Sequence, residues 1–372
     1  MRRSQIAFLV LTGCAALLVA GCGGHHRHLV VGGVEDSAKW ADPGGNMALA
    51  RRAGYRLIVL SSVWTQPRRA PTADEVYRLR TAVRVAQQAG IEPIVAVYSF
   101  GSQTPVTPQA RSEFTAYAAA ILRAVPALRY ISLGNEPNSK LFWMPQFRAD
   151  GSDAAAAAYL ELLETAYPAM KKASPHVTVI GGSLAARGND RPHGRRQTHS
   201  PTRFIEDLGA AFRASGLSRP PLDLFSIHPY PANSSIPPTA ADPHSTAIGI
   251  ADYPKLVQLL TAAFGKPPPI VYGEYGIQTQ IPRSELDLYS GTRAPSIRPV
   301  PETIQADDYV EAIHLAACQP LVRMLVFFHV TDESAFTGLQ TGLFYPNGRP
   351  KSGLGRVAAA AQAAEKGHVS CP

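Results

Sequence analysis

The feature that most constrains the fold is a regular alternation of strand-like and helix-like segments along the chain. Eight short apolar runs are each followed by a segment whose apolar residues have helical spacing. Such alternation predicts a parallel sheet, because each helix returns the chain to the edge where the next strand begins. Eight units is also the number that closes a barrel. The sequence therefore predicts an α/β protein with the (β/α)8 TIM-barrel fold.

The predicted strands span 29–34, 55–60, 91–98, 130–138, 177–182, 222–228, 270–274 and 322–330. The alternative is a doubly wound open sheet. No Gly-x-Gly-x-x-Gly motif follows the first strand, so a dinucleotide site would lack its phosphate-binding turn. The segments after the strands are mostly long, and those before the strands are mostly short. We therefore expect the functional site at the carboxyl ends of the strands.

Two of these strands end in a glutamate. Glu136 follows an apolar run and precedes Pro137, which cannot extend a hydrogen-bonded ladder. Glu274 ends the seventh strand between glycines. Across a barrel mouth the two side chains could approach to about 5 Å, the separation that retaining glycosidases use. The non-catalytic alternatives are that Glu136 is a surface residue and that Glu274 caps a helix.

A pair of carboxylates in one pocket suits general acid chemistry combined with nucleophilic attack. One group must stay protonated and the other ionised, so their environments must separate their pKa values. The sequence has no metal-binding motif and no signature of a nucleophilic serine or cysteine. Cleavage of an acetal is therefore the chemistry that this pair suits best, with no cofactor and no metal.

Three motifs resemble those of the clan A glycoside hydrolases, especially families 39 and 5: Gly134-Asn135-Glu136-Pro137, Ile227-His228-Pro229-Tyr230 and Gly273-Glu274. The resemblance implies that Glu136 is the general acid/base and Glu274 the nucleophile. It implies that Asn135 binds the sugar hydroxyl beside the reacting carbon. It also implies that His228 and Tyr230 steady the nucleophile or the sugar, although a strand-end histidine could equally be hydrogen-bonded scaffold.

Several aromatic residues are candidates for stacking on a sugar. Trp64, Trp143 and Phe328 could provide flat apolar surfaces, although aromatic side chains are more often part of the core. Phe328 and His329 stand at the end of strand eight, where clan A members usually have a tryptophan. The clan also commonly carries an arginine late in strand two, and Ser61 lies in that region here.

The first 22 residues resemble an export signal. A short positive leader precedes an apolar stretch, which ends in Val19-Ala20-Gly21-Cys22, a tetrapeptide similar to a bacterial lipoprotein signal. We expect Cys22 to carry the lipid, residues 23–28 to form a polar tether and residues 29–372 to form one extracytoplasmic domain held at the membrane. An ordinary secretory signal and an uncleaved anchor helix are the alternatives.

Two cysteines remain for the folded body. Cys318 and Cys371 are expected to form a disulfide, because an exported domain folds in an oxidising compartment. Zinc binding is not indicated, since no further cysteine or regularly spaced histidine pair accompanies them.

The composition describes a globular chain, with 45% hydrophobic and 17% charged residues. The net charge of +8 does not predict nucleic-acid binding, because the basic residues are spread along the chain without a recognisable motif. For the basic loop 187–196, the sequence favours a solvated charged loop over contact with an acidic glycan.

The sequence thus predicts a lipid-anchored retaining glycoside hydrolase with a carbohydrate substrate. The rival hypothesis is a glycan-binding lipoprotein without catalytic activity, since a barrel fold alone does not establish catalysis.

Overall fold

The computed structural model describes residues 28–194 and 196–371. Within them, eight parallel strands form a closed barrel in sequence order. The first and last strands pair directly, with Val30 opposite Met324 and Val34 opposite Phe328. The predicted (β/α)8 barrel is therefore confirmed, and the open sheet is excluded because its two edges would not meet. The predicted signal and Cys22 lie outside the described residues.

The strands β1 to β8 are Val30–Val34, Leu57–Val63, Glu92–Tyr98, Tyr130–Leu133, Thr178–Ala185, Leu224–His228, Ile270–Tyr275 and Val322–Phe328. The helices α1 to α8 are Pro43–Arg52, Ala73–Gln88, Pro108–Ala124, Ala155–Ala173, Pro201–Ser215, Tyr253–Phe264, Glu302–Cys318 and Leu354–Glu365. The order of the elements is the predicted one. The bounds differ by a few residues, most clearly at β4, which ends at Leu133.

Helix starts follow from local chemistry. At α2, the Thr72 hydroxyl accepts a hydrogen bond from the Glu75 amide at 3.2 Å, and the Glu75 carboxylate accepts one from the Thr72 amide at 2.6 Å. This reciprocal capping satisfies two amides that no helix carbonyl can reach. At α3 and α5 a capping hydroxyl precedes a proline, which has no amide hydrogen to leave unpaired.

The apolar core has two layers. The larger layer lies between the sheet and the helices and includes Phe114, Tyr159 and Phe204. A smaller cluster fills the barrel with side chains from several strands: Leu57, Ile94, Ile180, Leu224, Val271, Met324 and Val326. A filled barrel leaves no channel, so its polar side chains gather at the carboxyl ends of the strands.

The strand ends of β4 and β5 are held by one buried tyrosine. The Tyr159 hydroxyl donates to the Leu133 carbonyl at 2.7 Å and accepts from the Gly182 amide at 2.8 Å. Its ring lies where a side chain at Gly134 would be, since a Cβ there would come within 2.9 Å of Tyr159 Cε2. Gly134 also has φ of +87°, which favours glycine. The backbone can therefore turn just before Glu136.

The segment between β8 and α8 is fixed by a buried ion pair. Lys351 Nζ lies 2.9 Å from Asp332 Oδ1, and neither side chain is exposed. The same ammonium donates to Thr279 Oγ1 at 2.8 Å, and Tyr289 donates to the other Asp332 oxygen at 2.6 Å. A buried charge needs this degree of pairing to offset its loss of hydration.

The two ends of the described chain meet below the barrel. The Leu29 amide donates to the Ala364 carbonyl at 3.2 Å, so the chain enters β1 beside the end of α8. Cys318, at the end of α7, forms the expected disulfide with Cys371. No helix in the described ranges has both the length and the apolar character to cross a bilayer.

Candidate active site

Glu136 lies three residues beyond β4 in an irregular backbone. Its amide donates to the Ser183 carbonyl at 2.8 Å, next to the irregularity in β5 where the register with β6 shifts. Both residues have positive φ, +39° for Glu136 and +48° for Ser183. A left-handed conformation costs a residue with a side chain about 1 to 2 kcal/mol. Conformations of this kind tend to occur at functional sites.

Glu274 lies within β7, and a close approach of two strands positions it. A Cβ at Gly273 would lie only 2.4 Å from the Ser226 hydroxyl of β6, so glycine is required there. The same absent side chain leaves room for His228, whose ring would lie 3.2 Å from that Cβ. Gly273 thus allows His228 and Glu274 to share one edge of the barrel.

Glu136, His228 and Glu274 form what we call the central cluster. Their ligating atoms all lie within 4.8 Å of one another. His228 Nδ1 is 3.1 Å from Glu136 Oε1 and 3.7 Å from Glu274 Oε2. The structure therefore brings the two glutamates together across the barrel mouth. The separation matches the roughly 5 Å of retaining glycosidases and leaves no room for a water between the carboxylates, as inverting enzymes require.

Tyr230 completes this arrangement. Its hydroxyl donates to Glu274 Oε2 at 3.1 Å, which fixes one oxygen of that carboxylate and favours its ionised form. Burial raises the pKa of Tyr230, and the two nearby glutamates raise it further. The phenol therefore stays protonated and acts as a donor at any pH where the protein would work.

The electrostatics of the cluster keep a proton within it near neutral pH. Burial raises the pKa of Glu274 to about 7, and the charge of Glu136 adds to this, while His228 and Tyr230 act in the opposite direction. Burial lowers the pKa of His228, but the Glu274 and Glu136 carboxylates outweigh it and the net shift is upward. Protons shared in this way belong to the interacting groups together rather than to one residue.

The central cluster also has the composition of a metal-ligand set. Two carboxylates and an imidazole within 4.8 Å could bind a divalent cation. Two of its oxygens already contact donors of the chain, Glu136 Oε1 with His228 and Glu274 Oε2 with Tyr230. Hydrogen bonding and metal binding would compete for these atoms. The effect of a chelator on activity therefore distinguishes a hydrogen-bonded cluster from a metal site.

The other predicted binding residues occupy different places. Asn135 is half-buried beside Glu136, and the amide group of its side chain makes no hydrogen bond within the described part of the chain. Phe328 is half-buried at the end of β8, with its ring centroid 3.7 Å from that of His329. His329 faces another cleft, where its Nε2 lies 3.8 Å from Glu333. The peptide bond between Phe328 and His329 is cis.

The prediction that Trp64 and Trp143 stack on a sugar is wrong. Trp64 is fully buried, donates from Nε1 to the Arg68 carbonyl at 2.7 Å and packs edge-on against Phe114. Trp143 is 2% exposed and packs edge-on against Tyr159. Both rings belong to the main apolar core, so neither has an exposed face on which a sugar could stack.

The sequence analysis missed a polar group at the ends of β1 and β2. Lys39 donates to the Ser61 carbonyl and pairs with Asp36 at 2.9 Å. Asp36 in turn accepts from the Ser61 amide at 2.7 Å. Lys39 thus supplies a cation near the end of β2, the region where the resemblance implied an arginine. The sequence did indicate a polar group here, because the acidic residues Glu35 and Asp36 directly follow the first predicted strand.

Tyr98 was also missed, although it ends β3 on the same face. Burial raises its pKa to about 12, with smaller contributions from the charges of Asp36 and Glu274. The ring makes edge contacts with Phe100 at 5.6 Å and Phe142 at 5.8 Å. Phe100 is 46% exposed. These three rings lead from the central cluster to the rim, and Phe100 is better placed than either tryptophan to contact a sugar.

The chain shares its fold with glycoside hydrolases of families 39 and 5. A family 39 glycoside hydrolase from Bacteroides cellulosilyticus matches 91% of this chain and 64% of its own, at 20% identity and a TM-score of 0.65. The GH5_18 protein from Streptomyces cattleya matches 93% and 82%, at 15% identity and a TM-score of 0.61.

An exo-β-1,4-mannosidase from an Opitutaceae bacterium matches 91% of this chain and 60% of its own, at 17% identity and a TM-score of 0.57. The chain thus spans less than two thirds of the length of this protein and of the Bacteroides enzyme. No family model and no curated protein matches the sequence.

Proposed function

We propose that this protein is a retaining glycoside hydrolase that cleaves O-glycosidic bonds of a poly- or oligosaccharide. The observation that carries the proposal is the approach of Glu136 and Glu274 to within 4.8 Å at the carboxyl ends of the barrel strands. A fold shared with glycoside hydrolases supports it. The spacing favours double displacement over direct attack by water.

In the first step, Glu274 attacks the anomeric carbon as a carboxylate. The bond from that carbon to the leaving oxygen breaks, and Glu136 donates its proton to this oxygen. The product is a glycosyl ester on Glu274. In the second step, Glu136 takes a proton from water, the water oxygen attacks the same carbon, and the ester bond breaks. Two inversions give net retention of configuration.

The neighbouring residues support these roles. Tyr230 donates to Glu274 Oε2, which orients the nucleophile and favours its ionised form. His228 contacts both carboxylates, at 3.1 and 3.7 Å, and holds them in register. The unused amide of Asn135 is available to the sugar hydroxyl next to the reacting carbon. No step needs a metal, so EDTA should leave the rate unchanged. If EDTA abolished activity and a divalent cation restored it, the central cluster would be a metal-binding site.

The stereochemistry of the first product tests this proposal. Proton NMR early in the hydrolysis of an aryl glycoside or an oligosaccharide should show the anomeric configuration of the substrate. An inverted first product would overturn the mechanism even if both glutamates were essential. If glycans bind but none of a broad panel of bacterial and plant polysaccharides is cleaved, the protein is a glycan-binding lipoprotein and not an enzyme.

We also propose that the domain is exported and held at the membrane by a lipid on Cys22. The support is the sequence of residues 1–22, with its positive leader, apolar core and lipobox-like end. Labelled palmitate should be incorporated into the wild type and not into Cys22→Ala. Equal labelling of the two would contradict the proposal.

A further inference from the structure

A cleft of about 640 Å³ opens beside Glu136, on the side of the barrel formed by the loops after β5 and β6. We call it the cationic cleft, because Arg187 and Arg196 are its basic residues and Glu136 is the one acid among its described lining. Its remaining walls are neutral and include Tyr230, Asn233 and Gln278. Two guanidinium groups next to a single carboxylate leave an excess of positive charge.

Arg187 is held in place by the backbone rather than by an acid. It lies two residues after β5, and its Nη1 donates to the Tyr230 carbonyl at 2.7 Å. This bond links the arginine to the residue whose hydroxyl contacts Glu274. Arg187 forms no ion pair with any described residue, so most of its five N–H donors remain available. Partial burial lowers the pKa of Arg187, and the nearby Glu136 charge opposes this effect.

Arg196 stands on the returning arm of the same loop. Asn189 Nδ2 donates to the Arg196 carbonyl at 2.7 Å, which fixes the backbone at this point. Its guanidinium has neither a hydrogen bond nor an ion pair with the described chain. Some arginines on the outer helices are paired, Arg203 with Asp207 and Arg356 with Asp307, and others have no side-chain partner in the described chain. Arg187 and Arg196 differ from all of these in position, because both line the cleft that contains Glu136.

We infer that the cationic cleft binds an anionic sugar of the substrate, one bearing a carboxylate or a sulfate ester. The planar fork of arginine matches both groups and binds them through paired hydrogen bonds. This inference rests on the proposed function and narrows its substrate class. It replaces the sequence-based preference for a solvated loop at 187–196, because both arginines line the same cleft as Glu136.

The position of Glu136 also indicates which side of the bond carries the anion. Of the two glutamates, Glu136 lines the cationic cleft and Glu274 does not. The acid that protonates the leaving oxygen lies next to the departing sugar. The anionic sugar therefore belongs to the leaving-group side of the cleaved bond.

The test compares each anionic glycan with its own neutralised form. Glucuronoxylan, homogalacturonan, alginate, hyaluronan and chondroitin sulfate are assayed beside carboxyl-reduced or desulfated preparations of the same polymer. Hydrolysis is measured with the wild type, and binding is measured with Glu274→Gln. The carboxylated and sulfated arms show which anion is recognised.

Three variants locate the effect. Arg196→Gln removes an unpaired guanidinium, and Arg187→Lys keeps a charge but loses the fork. Arg191→Gln is the matched control, because it makes the same charge change in the same loop outside the cleft lining.

We expect the wild type to prefer at least one anionic glycan over its neutralised form by about tenfold or more in kcat/KM. Arg196→Gln and Arg187→Lys should each lower this ratio severalfold, and Arg191→Gln should leave it unchanged. The inference is overturned if the ratio is close to one, or if Arg191→Gln lowers it as much as Arg196→Gln.

Cleavage of neutral glycans alone would overturn this inference and leave the proposed function intact. If no glycan is cleaved and none binds to Glu274→Gln, the proposed function fails, and the inference fails with it.

Discussion

The cationic cleft has a counterpart on the opposite side of the central cluster. An acidic cleft of about 810 Å³ lies by the ends of β1 and β8 and is lined by Glu35, Asp36, Asp42, Asp332 and Glu333. The two clefts are of similar size and opposite charge. By charge alone, either would be a candidate for binding a ligand.

The partners of the charged groups separate the two clefts. Every acid of the acidic cleft accepts a hydrogen bond from the chain itself: Glu35 from Thr331, Asp36 from Ser61, Asp42 from Gly45, Asp332 from Lys351 and Glu333 from Leu339. In the cationic cleft, Arg196 has no such partner within the described chain and Arg187 uses one donor. The acidic cleft is therefore built for structure, and the cationic cleft has donors left for a ligand.

The largest effects should come from the central cluster that separates the clefts. Glu274→Ala should lose at least about 1,000-fold in kcat on every substrate, because the covalent step disappears. Glu136→Ala should lose as much on natural glycans but far less in the first step on aryl glycosides with acidic phenols, which leave without a proton. Steady-state and burst kinetics across a series of phenols would measure this.

Azide should rescue Glu136→Ala by attacking the glycosyl ester, with retention of configuration. If Glu274→Ala is instead the variant that azide rescues and that depends on the leaving group, the two roles are exchanged, and the cationic cleft would lie on the side of the transferred sugar.

The next largest effect is on stability and concerns the buried ion pair between Lys351 and Asp332 of the acidic cleft. Lys351→Met should lower the free energy of unfolding by about 3 to 5 kcal/mol, because Asp332 would remain buried without its partner. Arg356→Met is the control, since its pair with Asp307 is more than half exposed and should contribute no more than about 1 kcal/mol. Urea unfolding of both variants compares them. Equal losses would mean that the acidic cleft is not anchored by the buried pair.

The pH dependence of activity should follow the protonation of the central cluster, which lies between the two clefts. Burial raises the pKa of Glu274 to about 7, so the central cluster loses its shared proton near pH 7. The first step transfers that proton to the leaving oxygen, so kcat/KM on natural glycans should fall about tenfold for each pH unit above 7. At pH 9 the loss would be about 100-fold. Activity that keeps rising between pH 7 and pH 9 would contradict the shared proton in the cluster.

The smallest effect tests the exposed part of the cationic cleft. Arg196 is exposed, so salt should screen its attraction for an anionic sugar, and the preference should fall a few-fold between about 0.05 and 0.5 M NaCl. The neutralised glycan is the internal control, because its kcat/KM should not follow ionic strength. A parallel change for both substrates would indicate a general effect of salt on the protein.

The barrel was predictable because strand and helix periodicity, caps and loop lengths all indicate the same architecture. Capping by Thr72 and Glu75 is a local rule, because a threonine followed by a glutamate three residues later indicates it without any tertiary contact. The pairing of Glu136 with Glu274 was predictable because a closed barrel brings the ends of β4 and β7 to one mouth.

Side-chain direction after a strand was not predictable. Trp64 follows β2 just as Tyr98 ends β3, yet the first ring is in the core and the second reaches the site. Both have the same sequence signal, and packing with residues far along the chain decides between them. The spare donors of Arg187 and Arg196 were hidden for the same reason, since a missing partner becomes visible only in three dimensions.

The meeting of the chain ends below the barrel has a consequence for orientation. Strands run from the base of the barrel to its mouth, and Leu29 enters at the base, beside Ala364. A protein immobilised through residues that precede Leu29, on a bead, a sensor chip or a bilayer, would hold its base against that support. Both clefts would then face the solution, and long polymers could reach them without passing the support.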